Sequence, residues 1–164
     1  MIEQLIPFLI ASILLTLSPG PDIIYVLSQS LVAGYKKGMI IALGLVSGII
    51  IHTSLVAFGV SVIIKSSESL FWSIKMAGAF YLLYLAYKVF TSPPQPFDQE
   101  KVTNTAKKSL FSDFKTGFIM NILNPKVTLF FLAFFPGFLW DTEKYLTMWF
   151  YFLGGLFMLQ AFVI

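Results

Sequence analysis

Five long apolar stretches pattern this chain, at about residues 5–29, 39–64, 70–90, 116–139 and 145–164. A helix needs about 20 apolar residues to cross the hydrocarbon core of a bilayer, so each stretch predicts one span. The polar connections differ in character. Residues 33–38 hold Lys36 and Lys37, and residues 65–69 are short and nearly neutral. Residues 91–115 are long and polar, with Pro93, Pro94 and Pro96 followed by Lys101, Lys107, Lys108 and Lys115. Residues 137–144 carry Asp141, Glu143 and Lys144. The pattern predicts an all-α fold: one membrane domain over residues 1–164, a polytopic transmembrane helix bundle, with residues 91–115 as a loop between two halves and its Pro-rich part an extended linker.

Two of the stretches are interrupted. Ser18-Pro19-Gly20-Pro21-Asp22 falls inside the first and Asn124-Pro125-Lys126 inside the fourth. Proline lacks an N–H and clashes with the preceding turn, so both spans are expected to be broken helices. Hydrocarbon tolerates such a break only where it lines a cavity or packs against protein. Paired broken helices are the strongest sequence pointer to a transporter's binding site.

Composition agrees with a membrane protein. Hydrophobic residues make up 57% of the chain and charged residues 12%, against about 25% charged in soluble domains. The 18 phenylalanines suit a lipid-facing surface. The absence of cysteine rules out a disulfide framework and a cysteine metal site. All eleven basic residues are lysine, and no basic face with interleaved aromatics exists for nucleic acid. The first residues, Met1-Ile2-Glu3-Gln4, lack the basic start of a signal peptide, so the first stretch is read as a retained span.

Lysine placement orients the bundle. Residues 33–38 and 91–115, with the adjacent Lys88, hold seven of the lysines. The positive-inside rule places those connections in the cytoplasm and the N-terminus outside. The count is then odd, and the fifth stretch is still apolar at Ile164. We read this as five spans present of an expected six. Leu17-Ser18-Pro19 recurs as Leu123-Asn124-Pro125, which suggests a 3+3 inverted repeat, the plan of many secondary transporters.

The candidate chemistry gathers at the breaks. Asp22 is an intramembrane carboxylate, a functional-site hypothesis by default. It could exchange a proton, hold an ammonium group, or cap the second half-helix. Ser18, Pro19, Gly20 and Pro21 form the break, and a half-helix N-terminus there suits a substrate carboxylate. Lys126 could pair with Asp22, bind a carboxylate or snorkel to an interface. Asn124 beside Pro125 could cap the second half-helix or touch substrate. His52 is the only histidine; without a second ligand it makes no metal site, and it could relay protons or bond a neighbouring helix. It shares a face with Gly44 and Gly48, a small-residue stripe for close helix packing.

Together these residues resemble the LysE/RhtB family of amino-acid exporters. The matching pieces are Leu17-Ser18-Pro19-Gly20-Pro21, Gly44-x3-Gly48-x3-His52, and Lys75-x2-Gly78-Ala79-x-Tyr81-Leu82-x-Tyr84-Leu85-Ala86. Gly117-Phe118 to Asn121, Asn124-Pro125-Lys126 and Leu129-Phe130-Phe131 to Phe135-Pro136 follow in order. Within this pattern Gly78 joins Gly44 and Gly48 as a packing position. The resemblance implies a six-span secondary transporter of the bacterial inner membrane that exports amino acids or close derivatives, driven by protons; no cofactor is expected, and the glycine stripe allows a homodimer. Rival readings are a cation or metal-ion exporter of the same superfamily and an inactive or accessory membrane fragment. An enzyme is not expected: there is one histidine, no HExxH and no GxSxG, and no serine stands beside a base.

Overall fold

The computed structural model describes residues 2–18, 20–60, 67–91, 109–139 and 145–164. Pro19, Lys65, the Pro-rich linker with Lys101, Lys107 and Lys108, and the Asp141–Lys144 charges lie outside the described residues. Among the described residues there is no strand. Helix α1 covers Ile2–Leu17, α2 Pro21–Ala33 and α3 Tyr35–Leu55, the last continuing as a π-helical turn over Val56–Val60. Helix α4 covers Glu68–Thr91 and α5 Leu110–Ile122. Helix α6 starts at Pro125–Leu129 and continues in π geometry over Phe130–Phe134 and 3₁₀ geometry over Phe135–Phe138. Helix α7 covers Leu146–Val163.

Among the described residues three helices, Tyr35–Gly59, Ser69–Lys88 and Leu146–Val163, are long and apolar enough to cross a bilayer. The pairs α1–α2 and α5–α6 are each bent by more than 40°, and counting each pair as one span brings the number to five. The molecule is a multi-pass helical membrane bundle.

The helices extend past the apolar stretches that predicted them. The connection expected at residues 33–38 shrinks to Gly34, and α5 begins at Leu110 rather than near Thr116. Hydropathy ends a span at its first charges, whereas a helix accommodates lysine or aspartate in its first turn. Gly34 has φ +90°, a left-handed value that side chains disfavour. Its N–H bonds Ser30 O at 3.0 Å and its carbonyl accepts from Lys37 N at 3.1 Å, so one residue closes α2 and opens α3.

The centre is the crossing of α3 with α5. A Cβ on Gly44 would overlap the Phe114 carbonyl, and one on Gly117 would overlap the Ile41 carbonyl. Backbone meets backbone there, the close approach that small residues allow between membrane helices. Further along, Gly48 makes room for Asn121, and Gly78 of α4 rests on Ala133.

A second core is aromatic. Phe8, Phe131, Phe135 and Phe150 are fully buried, with Phe130 and Phe157 close to it. Phe131 and Phe135 stack at 4.4 Å, Phe8 meets Phe135 edge-on at 5.5 Å, and Phe135 stacks on Phe150 at 5.9 Å. These rings limit the expectation that phenylalanine serves the lipid face to part of the set, such as the exposed Phe58, Phe80 and Phe111. Composition cannot separate an apolar residue facing lipid from one facing another helix, because both surroundings are equally dry.

The charge reading also misses one contact. Lys37, counted only as an orienting charge, points inward and forms an ion pair with Asp113 at 3.4 Å, the two side chains 7% and 1% exposed. The pair ties the first turns of α3 and α5 beside the glycine crossing. Neither Asp113 oxygen has a hydrogen bond, so the carboxylate depends on Lys37 for its compensation. Stranding one member of a buried pair costs about 3–5 kcal/mol, whereas replacing both by apolar groups is near neutral. Lys37→Met should therefore lower the thermal unfolding midpoint in detergent sharply, and the double change Lys37→Met/Asp113→Leu should recover most of the loss.

Candidate functional site at the two helix breaks

Each break orphans a carbonyl. An α-helical carbonyl bonds the N–H four residues on, and the residues four beyond Leu15 and Asn121 are Pro19 and Pro125, which have none. Lys126 Nζ donates to Leu15 O at 3.1 Å and to Ser18 O at 3.0 Å. It thereby closes the C-terminal end of α1, where a cation also meets the negative end of the helix dipole. Asn121 O accepts from His52 Nε2 at 3.1 Å and from Asn124 N at 3.0 Å. Since a carbonyl only accepts, Nε2 carries the proton. The His52 ring is 3% exposed and lies 5.7 Å from the Phe131 ring.

The half-helix starts differ. Asn124 caps α6, its Oδ1 accepting from Lys126 N at 2.9 Å, with Pro125 in the first turn. Gly20 begins α2 in an extended conformation (φ −137°) with Pro21 following, and no side chain caps it. Asp22 is therefore not the cap but sits in the first turn. Its Oδ1 is sealed from solvent and has no hydrogen-bond partner. A Cβ on Gly20 would come within 2.5 Å of Asp22 Oδ1 and 3.2 Å of Lys126 Nζ, so both charged groups close on the same glycine. They stop short of an ion pair, the Lys126 ammonium being engaged with the two carbonyls.

Two cavities flank the breaks. One of about 550 Å³ is lined by Asp22, Lys126 and Asn121 amid Leu15, Ile23 and Val46, among others. The other, of about 840 Å³, reaches Ser18, Gly20, Pro21, Asn124 and Pro125 against α4. Leu15 and Lys126 border both.

The structure thus brings together Ser18, Gly20, Pro21, Asp22, Asn124, Pro125 and Lys126. Pro19 lies outside the described residues. His52 stands apart on α3 and touches the site through the Asn121 carbonyl. Sequence reasoning passed over Asn121 as a site residue, although a polar residue four positions after Gly117, on the face that crosses α3, was a usable signal. Gln160 of α7 was also passed over; its Nε2 bonds Thr16 Oγ1 at 2.9 Å, and Thr16 lines the smaller cavity. Among the described residues no group of three or more His, Cys, Asp or Glu comes together to hold a metal ion.

The LysE type translocator family matches residues 13–163, nearly the whole chain and both breaks. The chain belongs to this family. As a LysE type translocator it is 33% identical over 132 residues to the leucine efflux proteins of Salmonella typhimurium and Salmonella typhi, a match covering 80% of this chain and 61% of each relative. It is 30% identical over 143 residues to the uncharacterized membrane protein YrhP of Bacillus subtilis, covering 84% of this chain and 68% of the relative. The chain spans about three-fifths of the length of the leucine efflux proteins it matches. No solved structure matches it.

Within this translocator, Lys126→Met keeps the stem of the side chain and removes its donors, leaving Leu15 O and Ser18 O without partners. An orphaned buried polar group costs about 1–3 kcal/mol, so the unfolding midpoint of the purified protein should fall. Lys126→Arg, which retains donors, should lose less.

Proposed function

We propose that this protein exports aliphatic amino acids, leucine among them, from the bacterial cytoplasm across the inner membrane, with protons as the coupling ion. The observation that carries the reading is the environment of Asp22. An unpartnered carboxylate oxygen stands beside an uncapped helix start at the edge of a largely aliphatic cavity. A zwitterion fits these features: its ammonium meets Asp22, its carboxylate meets the free N–H groups at the start of α2, and its side chain lies among Leu15, Ile23 and Val46. The leucine efflux relatives support the substrate class.

Lys126 is the fixed charge of this arrangement. Bound to two carbonyls, it holds the end of α1 against the second break and keeps a positive charge near the bound carboxylate. In this reading Asp22 takes and returns the exchanged proton. Ionised, it holds the ammonium; protonated from the outer side, it releases it, and the empty protein returns with the proton. The lysines of residues 91–115 orient the bundle with that connection in the cytoplasm and the N-terminus outside. Asp22→Asn removes the charge at constant shape. In cells preloaded with a leucine-containing dipeptide, leucine efflux by that variant should fall at least about tenfold, the loss expected for a hydrogen bond to a charged group. Its abundance in the membrane should be unchanged, and a protonophore should stop efflux by the unsubstituted chain. Undiminished efflux by Asp22→Asn would overturn the role given to Asp22.

A further inference from the structure

We propose that the structure is the cytoplasm-open state of the translocator and that Phe8, Phe135 and Phe150 form its outer gate. The inference rests on the export reading and its orientation, and adds the residues that must part for release. In that orientation α2 ends, and α3 and α5 begin, on the cytoplasmic side, while α1 and α7 begin outside. The smaller cavity runs from Asp22 and Lys126 at the breaks to Tyr35 and Met39 at the start of α3 and to Ile164 at the end of α7. Those last three side chains are exposed, so the cavity opens toward the cytoplasm. The other way is closed. Phe8 lies about two turns of α1 outward of Leu15, and Phe135 lies on α6 beyond the second break. Both are fully buried, as is Phe150 near the start of α7.

This plug is made to part. It joins the two halves: Phe8 of the first meets Phe135 and Phe138 of the second edge-on, each at 5.5 Å. A rocking of one half against the other that opens the outer side must separate these rings. The backbone that carries Phe135 is wound in three ways, α over Pro125–Leu129, π over Phe130–Phe134 and 3₁₀ over Phe135–Phe138. Turns of π geometry are rare and occur frequently at functional sites. Helix α3 carries another at the same outer end, over Val56–Val60, and the two touch. A stretch that passes from π to α winding turns everything beyond it about the helix axis. A small change in winding therefore takes Phe135 out from between Phe8 and Phe150, on which it stacks. The rings hold one another without hydrogen bonds, so their separation strands no polar group in hydrocarbon.

The test is thiol labelling of the full chain in the membrane. The chain has no cysteine, and Thr16 lines the smaller cavity beside the first break, so Thr16→Cys places a single thiol behind the plug. The probe is a membrane-impermeant maleimide, applied to spheroplasts from outside and to inside-out vesicles from the cytoplasmic side. Thr16→Cys should react from the cytoplasmic side and at least about tenfold more slowly from outside, the outward-open state being the minor one. Adding Phe135→Ala removes packing that only the closed gate has. Labelling from outside should then rise at least about tenfold, and labelling from the cytoplasmic side should stay within about twofold. Equal acceleration from both sides would mark a loosened core, and unchanged labelling a ring that gates nothing. Either result would overturn the inference, as would a thiol already open to the outside or closed to the cytoplasm. Lys36→Cys reports the orientation separately. Labelling of that thiol from outside alone would remove the orientation of the export reading and the gate with it; labelling from the cytoplasm leaves that reading intact whatever Phe135→Ala does. Should Phe135→Ala not reach the membrane, Phe8→Ala, which takes the ring from the other half, carries the same comparison.

Discussion

The structure depends on the repair of two broken helices. In hydrocarbon a backbone carbonyl without a partner costs several kcal/mol, so a span interrupted by proline must find a donor elsewhere. Here the donors are crossed. The break after α1 is closed by Lys126, which stands on the second break, and the break after α5 is closed in part by His52 of α3. The end of α1 relies on the other half, and the Asn121 carbonyl takes one bond from its own half, Asn124 N, and one from His52. The breaks are held in register by bonds that exist only when both halves are in place.

Those bonds set conditions on the packing around them. His52 reaches the Asn121 carbonyl only because α3 and α5 touch backbone to backbone at Gly44 and Gly117, and Asn121 fits only because Gly48 has no side chain. The Lys37–Asp113 pair fixes the same two helices near their first turns. The aromatic cluster around Phe131 and Phe135 supports the far side, where α6 widens into π geometry and meets α1 and α7. The interior is thus most constrained where the breaks lie, and the cavities sit beside that constraint.

Much of this was legible in the sequence, because its signals are local. Long apolar runs give spans, and proline with glycine gives breaks, whatever surrounds them. The rest depends on partners distant in sequence. The recurrence of Leu17-Ser18-Pro19 as Leu123-Asn124-Pro125 suggests one register between the halves. The helix starts show another, in which Gly20-Pro21-Asp22 corresponds to Asn124-Pro125-Lys126. Two prolines offered two registers, and only the backbone chooses; in the chosen one Asp22 and Lys126 occupy equivalent positions with opposite charge. Asp113 was invisible because it precedes the apolar run that marks its span, and nothing near it announces Lys37. Asn121 reads locally as one polar residue in an apolar helix, and its importance comes from Gly48 and His52, which lie on α3.

Gly34 carries a mechanical consequence. A single residue in a left-handed conformation joins α2 to α3, and its hydrogen bonds to Ser30 and Lys37 belong to the two helices it connects. No slack remains at that end, so a swing of α2 must carry the start of α3 with it. The opposite end of α2 begins at Gly20 without a cap, between prolines. Helix α2 is therefore tied to α3 at one end, and the end that carries Asp22 is the one whose start no side chain caps.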